Sequence, residues 1–289
     1  MATKKPTTAR KAASAKKAPV HKTTTNVTTV SASTVRAARV SSKSWWMVPE
    51  DRNTTALIVA AIAELLGTFV LVMVVLSQHN QPVAVMFAAV AIVLGFGALT
   101  GGYFNPALTI GAWVTRRLSG LRGVLYIVAQ VLGGMLALVV TNAFVNDSAP
   151  KLTEQAKQMG QTVPQVFRAA AIPSGHEWLV LLAELLGTAV FAFIVASAIS
   201  EKRKSLNHAI TYGFGLFAAL IVAGTATATL VSSDSGLSFL NPAVAIAAQI
   251  FSYDVVSWWS AITFLIVPLI GGVVGFGLYE LLKPSRYTR

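Results

Sequence analysis

Two asparagines carry the chemistry that this sequence offers. Each opens the same tripeptide, Asn105-Pro106-Ala107 and Asn241-Pro242-Ala243. A carboxamide presents N–H donors and an acceptor to a small neutral molecule without carrying charge. Asn also caps a helix, because its side-chain oxygen accepts an amide N–H left free in the first turn, and Pro suits the first helical position, where no N–H is needed. Each tripeptide therefore reads as a helix start, with the positive end of the helix dipole at the asparagine. The apolar runs that follow, Asn105 to Val114 and Asn241 to Phe251, are each about 15 Å long as helices, half of a hydrocarbon core of about 30 Å. Half-span helices in a bilayer protein are expected to meet from opposite sides near the midplane, with irregular backbone lining a cavity instead of facing lipid. That arrangement is a pore, with a passing oxygen held by donors from both sides.

The rest of the chain has to position that pair. The 289 residues are 54% apolar and 12% charged, with mean hydropathy +0.64, which places the chain among polytopic membrane proteins. Six apolar spans separate, at 54–77, 82–100, 123–145, 177–199, 207–231 and 256–282. The half-helices fall between the second and third spans and between the fifth and sixth. Absence of cysteine excludes disulfides, thiolate metal sites and cysteine nucleophiles. His21, His79, His176 and His208 are scattered and read as surface groups, with no paired base and nucleophile. Neither an enzyme nor a bound cofactor or metal is expected.

Residues 1–44 hold ten Lys and Arg and no acid among many Ala, Ser and Thr, too little apolar surface to offset the entropy of ordering. Residues 1–50 are read as a disordered basic tail attracted to anionic lipid, with no nucleic-acid partner expected because no binding motif or aromatic interleaving accompanies the charge. Trp45, Trp46 and Met47 mark the membrane interface where the first span enters. Placing both termini in the cytoplasm puts twenty of the twenty-three basic residues on one side, as the positive-inside rule requires. A multi-pass protein of the plasma membrane is expected. In the long connection from Asn146 to Gly175, the stretch from Pro164 to Ala171 is read as a short surface helix.

The hexapeptide Ala63-Glu64-Leu65-Leu66-Gly67-Thr68 of the first span recurs letter for letter as Ala183-Glu184-Leu185-Leu186-Gly187-Thr188 in the fourth. Gly133-Gly134 in the third span has a counterpart in Gly271-Gly272 of the sixth. Three spans per half is an odd number, so the halves, 54–145 and 177–282, must be inverted about an in-plane pseudo-two-fold axis. Glu64 and Glu184 are carboxyls within apolar spans, where a partner is required. They read as anchors that accept N–H groups from the unwound loops; a proton relay is the sharper alternative, disfavoured by one carboxyl per half. Gly67, Gly133, Gly187 and Gly271 read as positions of close helix packing.

With these features together, residues 54–283 resemble the aquaporin family, also called major intrinsic proteins. The likeness is carried by the Ala-Glu-x-x-Gly-Thr repeat, by Thr100-Gly101-Gly102-Tyr103-Phe104-Asn105-Pro106-Ala107, by Ala129-Gln130, by Ser238-Phe239-Leu240-Asn241-Pro242-Ala243 and by Pro268-Leu269-Ile270-Gly271. It implies an all-α membrane protein with six transmembrane helices and two half-helices, an inverted 3+3 repeat, a right-handed bundle filling 51–284, a pore in every protomer and a homotetramer. It also implies passage of water and small neutral solutes. Most members carry Arg directly after the second tripeptide, where this chain has Val244, and commonly His where it has Tyr103, at the cytoplasmic vestibule. Counting by the family's spacing puts Val85, Ala228 or Thr229, Ser238 and Val244 at the outer constriction, all small or apolar and so wider than in strict water channels. The glycerol branch usually has Asp one place further on, where this chain has Ala245. The other readings are a glycerol or small-polyol facilitator with a widened filter, a secondary transporter, which would saturate and want a midplane carboxylate, and a non-conducting structural member.

Overall fold

The computed structural model describes residues 54–148, 155, 165–200, 205–231 and 235–283. The chain divides into two units, Met1–Ser42 and Lys43–Arg289, and every described residue belongs to the second. The basic tail, its aromatic border and its lipid contact lie outside the described residues.

Among the described residues, six helices are long and apolar enough to cross a membrane: α1 (Thr54–Ser77), α2 (Pro82–Thr100), α4 (Gly120–Ser148), α5 (Glu177–Ser200), α6 (Ser205–Thr227) and α8 (Trp258–Leu282). Two short helices interrupt the series, α3 (Pro106–Val114) and α7 (Pro242–Ala247). The chain is an integral multi-pass membrane protein. Packing follows the internal repeat: α1 lies on α4 as α5 lies on α8, α1 meets α2 as α5 meets α6, and α2 against α6 joins the halves. Each short helix crosses to the other half, α3 against α8 and α7 against α4.

That crossing explains the paired glycines. A Cβ on Gly134 would stand 2.8 Å from the Ala243 carbonyl oxygen, and one on Gly272 closer still to that of Ala107. The backbone of each tripeptide thus rests directly on the opposite half's third helix, a contact that only the absent side chain permits.

Several boundaries differ from the sequence reading, among them α4, which begins at Gly120 and ends at Ser148 instead of 123 and 145. Helix α6 begins at Ser205 and ends at Thr227, so residues 228–231 lie beyond it, and α8 begins at Trp258 instead of 256. Helix α7 is shorter than its apolar run, because Gln249 turns left-handed at φ 65°. Apolar character alone could not place that stop. The stretch from 165 to 171 is extended, with β1 (Arg168–Ala169) paired in parallel with β2 (Ser235–Gly236). Its N–H groups find partners across the fold, Phe167 on Leu76 O, Ala169 on Ala248 O and Ala170 on Gly236 O, while Val166, Phe167 and Ala169 are buried. Tertiary bonding has replaced the helical ladder there. Within α8, Ile262–Ile266 forms a π-helical turn just before Pro268, where a residue without an N–H disturbs regular bonding.

Candidate functional site

The loops entering α3 and α7 share one geometry. Phe104 and Leu240, each just before its asparagine, have φ of 48° and 56°, a left-handed conformation that bulky residues rarely adopt. Both ends of both peptides are held. Phe104 N donates to Glu64 Oε2 at 2.7 Å and Tyr103 N to Oε1 at 3.2 Å; Leu240 N donates to Glu184 Oε2 at 2.9 Å and Phe239 N to Oε1. On the carbonyl side, Asn241 Nδ2 donates to Phe104 O at 3.0 Å and Asn105 Nδ2 to Leu240 O at 2.9 Å. Each loop is therefore twisted so that its N–H groups face its own half's glutamate while its carbonyl faces the other half's asparagine.

Both carboxylates have 0% exposure, and the donors around them replace water. The two differ in their side-chain partners. Gln130 Nε2 donates to Glu64 Oε2 at 2.7 Å and to Thr109 Oγ1 at 2.9 Å, and Thr109 Oγ1 donates to Asn105 O at 3.0 Å. In the second half the matching place in the third span is Pro268, so no such amide stands beside Glu184.

Asn105 and Asn241 also cap their helices, accepting Ala107 N at 2.8 Å and Ala243 N at 3.0 Å on Oδ1. Pro106 and Pro242 occupy the first helical position. With Oδ1 given to the cap and one Nδ2 hydrogen to the opposite carbonyl, each carboxamide has a second N–H left over. Both asparagines line a narrow cavity of about 10 Å³, the space of about one water molecule. Its other walls are mostly apolar, including Val85, Leu220, Phe239 and Val244. A wider cavity of about 550 Å³ adjoins it, and Asn80 and Leu220 line both.

The residues expected at the constriction are distributed between these spaces. Val85 and Val244 line the narrow cavity, Ser238 and Ala228 the wide one. Thr229 is absent from the lining of either and lies past the end of α6. Tyr212, Leu216 and Leu220 are the α6 residues that line the narrow cavity with Val85 and Val244, and of these Leu220 lines the wide cavity as well. The ring of Tyr103 is buried 6.1 Å from that of Tyr126, and its carbonyl accepts Tyr212 Oη at 2.8 Å. Asn80 was missed altogether; one amide in a Gln-His-Asn-Gln turn gives no pattern to read. His208 is not the surface group expected. Its Nε2 is buried without a protein partner and its ring lies against Gly102.

No cluster of three or more His, Cys, Asp or Glu that could hold a metal occurs among the described residues. The site holds donors, acceptors and apolar walls, and its chemistry is hydrogen bonding to something small.

A family model described as major intrinsic protein matches residues 51–279. The chain belongs to that family. Among its members, the chain is 30% identical over 244 residues to aquaporin Z of Photorhabdus laumondii, covering 78% of this chain and 97% of the relative. It is 28% identical over 200 residues to glycerol uptake facilitator protein-like 6 of Lactiplantibacillus plantarum, covering 66% and 83%. The X-ray structure of the aquaglyceroporin from Plasmodium falciparum shares the fold of the family with TM-score 0.59 at 18% identity, covering 78% of this chain and 96% of that one.

Proposed function

We propose that the chain is a passive channel for water and small neutral solutes, with its narrowest point at Asn105 and Asn241. The observation that carries this reading is the left-over N–H on each carboxamide beside a space of about 10 Å³. A water there accepts from both sides at the positive ends of two helix dipoles, so its own hydrogens point outward in both directions and a proton wire is broken. Apolar walls give an ion nothing in exchange for its hydration shell. Glu64 and Glu184 act as loop anchors, holding the donors in place instead of relaying protons.

Val85, Leu220, Ser238 and Val244 form the outer constriction in this reading. None of these four residues is cationic, so exclusion of protons and cations rests on the midplane dipoles, and neutral solutes of glycerol size pass beside water. The names of relatives, an aquaporin and a glycerol uptake facilitator, span the same range. Both termini lie in the cytoplasm, the basic tail meets anionic lipid of the plasma membrane, and four protomers assemble, each with its own pore.

Stopped-flow light scattering of proteoliposomes, with water and glycerol compared on one preparation, tests the proposal. Flux of both above that of empty vesicles, linear in gradient and weakly dependent on temperature, supports it. Saturating flux indicates a carrier, and absence of any flux a structural member.

A further inference from the structure

We propose that Asn80, on the turn between α1 and α2, is a specificity-determining residue that selects which neutral solutes pass from the wide cavity into the narrow one. The inference rests on the channel reading above and names a residue outside the tripeptides and their loops.

The backbone fixes its place. Asn80 sits at φ 52°, a conformation that asparagine tolerates better than most residues, and its N–H donates to Val75 O at 2.8 Å. The side chain leaves that turn and crosses to the other half of the molecule, where Nδ2 donates to Ser238 O at 2.8 Å. One N–H of the carboxamide and its Oδ1 are not used in that bond. Asn80 lines both cavities.

The surroundings give those free groups a role. Around the narrow cavity the remaining polar side chains are Asn105, Asn241 and Tyr212, and the Tyr212 hydroxyl is already given to Tyr103 O. Between the mouth and the two central asparagines the walls are apolar, with Val85, Leu220 and Val244 among them. Beside Asn80 one more group is open: Ser238 Oγ is buried, without a protein partner, on a residue that lines the wide cavity. A solute that sheds water at this rim finds a neutral carboxamide and a hydroxyl, which together donate and accept. That combination favours molecules carrying both donors and acceptors, such as small amides and polyols, because each of their polar groups must be paired before it leaves water. It does not discriminate by repelling charge.

The test is the ratio of urea or glycerol permeability to water permeability for the full chain in proteoliposomes, in wild type, N80A and S238A. Trimming Asn80 to Ala widens the rim, so a steric role predicts a rise in the ratio. Loss of a hydrogen-bonding station instead predicts a fall of about fivefold, the equivalent of about one hydrogen bond. S238A should move the ratio the same way by about twofold. An N80A ratio that is unchanged or raised overturns the proposal; if N80A fails to assemble, an unchanged S238A ratio overturns it. Wild type that passes water but neither solute also overturns it and cuts the channel reading back to water alone. Wild type with no flux at all removes both.

Discussion

Asn105 and Asn241 each hold the peptide that precedes the other: Asn105 Nδ2 donates to Leu240 O at 2.9 Å and Asn241 Nδ2 to Phe104 O at 3.0 Å. The two loops, one from each half, are thus joined by a reciprocal pair of bonds, and replacing either asparagine frees the carbonyl end of the partner's loop. Asn241→Ala leaves Phe104 O and Ala243 N without their partners, at a cost of about 1–3 kcal/mol for each buried group. The expected result is a lower melting temperature in detergent together with loss of water flux. Wild-type flux in a stably folded variant would remove Asn241 from the mechanism.

The glutamates make a second symmetric prediction with one asymmetric term. Glu184→Gln has one oxygen to accept two backbone N–H groups, from Phe239 and Leu240, and its amide nitrogen faces a donor. The expected destabilisation is about 1–3 kcal/mol. Glu64→Gln adds a further clash, since Gln130 Nε2 also donates to that carboxylate. Thermal unfolding of both variants should therefore place Glu64→Gln below Glu184→Gln, and the reverse order would contradict the role given to Gln130.

Leu220 and Thr229 separate the proposed constriction from the one reached by the family's spacing. Leu220→Ala removes an apolar wall shared by the two cavities and should raise glycerol flux relative to water by at least about threefold, less than the factor that one kcal/mol gives. Thr229→Ala should leave that ratio unchanged. Val244→Arg places a long cationic side chain into a space of about 10 Å³ and should abolish glycerol flux. A proton leak under a pH gradient that is the same in wild type and Val244→Arg would locate proton exclusion at the central asparagines.

At the far end of α3, Arg117 meets four partners. Its Nε donates to Glu280 Oε1 at 2.9 Å, Nη1 donates to Ala196 O at 2.9 Å, and the guanidinium lies 5.5 Å and 5.2 Å from the ring centres of Phe276 and Tyr279. Lys cannot reproduce this fork. Arg117→Lys should destabilise the fold by about 1–2 kcal/mol, discounted for the partial exposure of the pair, and should leave the urea-to-water ratio of intact channels unchanged. Unfolding in detergent and stopped-flow on the same preparation check both halves of that expectation.

Much of this molecule was written in local patterns. Continuous apolar runs define the spans, because a bilayer penalises any break in them. The Asn-Pro pairs define where the short helices begin, because capping and a missing N–H are properties of adjacent residues. The repeated hexapeptide and the paired glycines give the inverted halves. The end of α7 was not legible, nor was the extended stretch around Arg168, because both are decided by bonds to residues distant in the chain. Nor could the sequence place Asn80 and Leu220 relative to the cavities. Their roles depend on which way a side chain faces after a loop has closed, and loop length carries no helical register. Composition and spacing determined that two capped half-helices would face each other in a membrane; only the packed structure decided which side chains stand between them and the mouth, since that choice is made by contacts between halves.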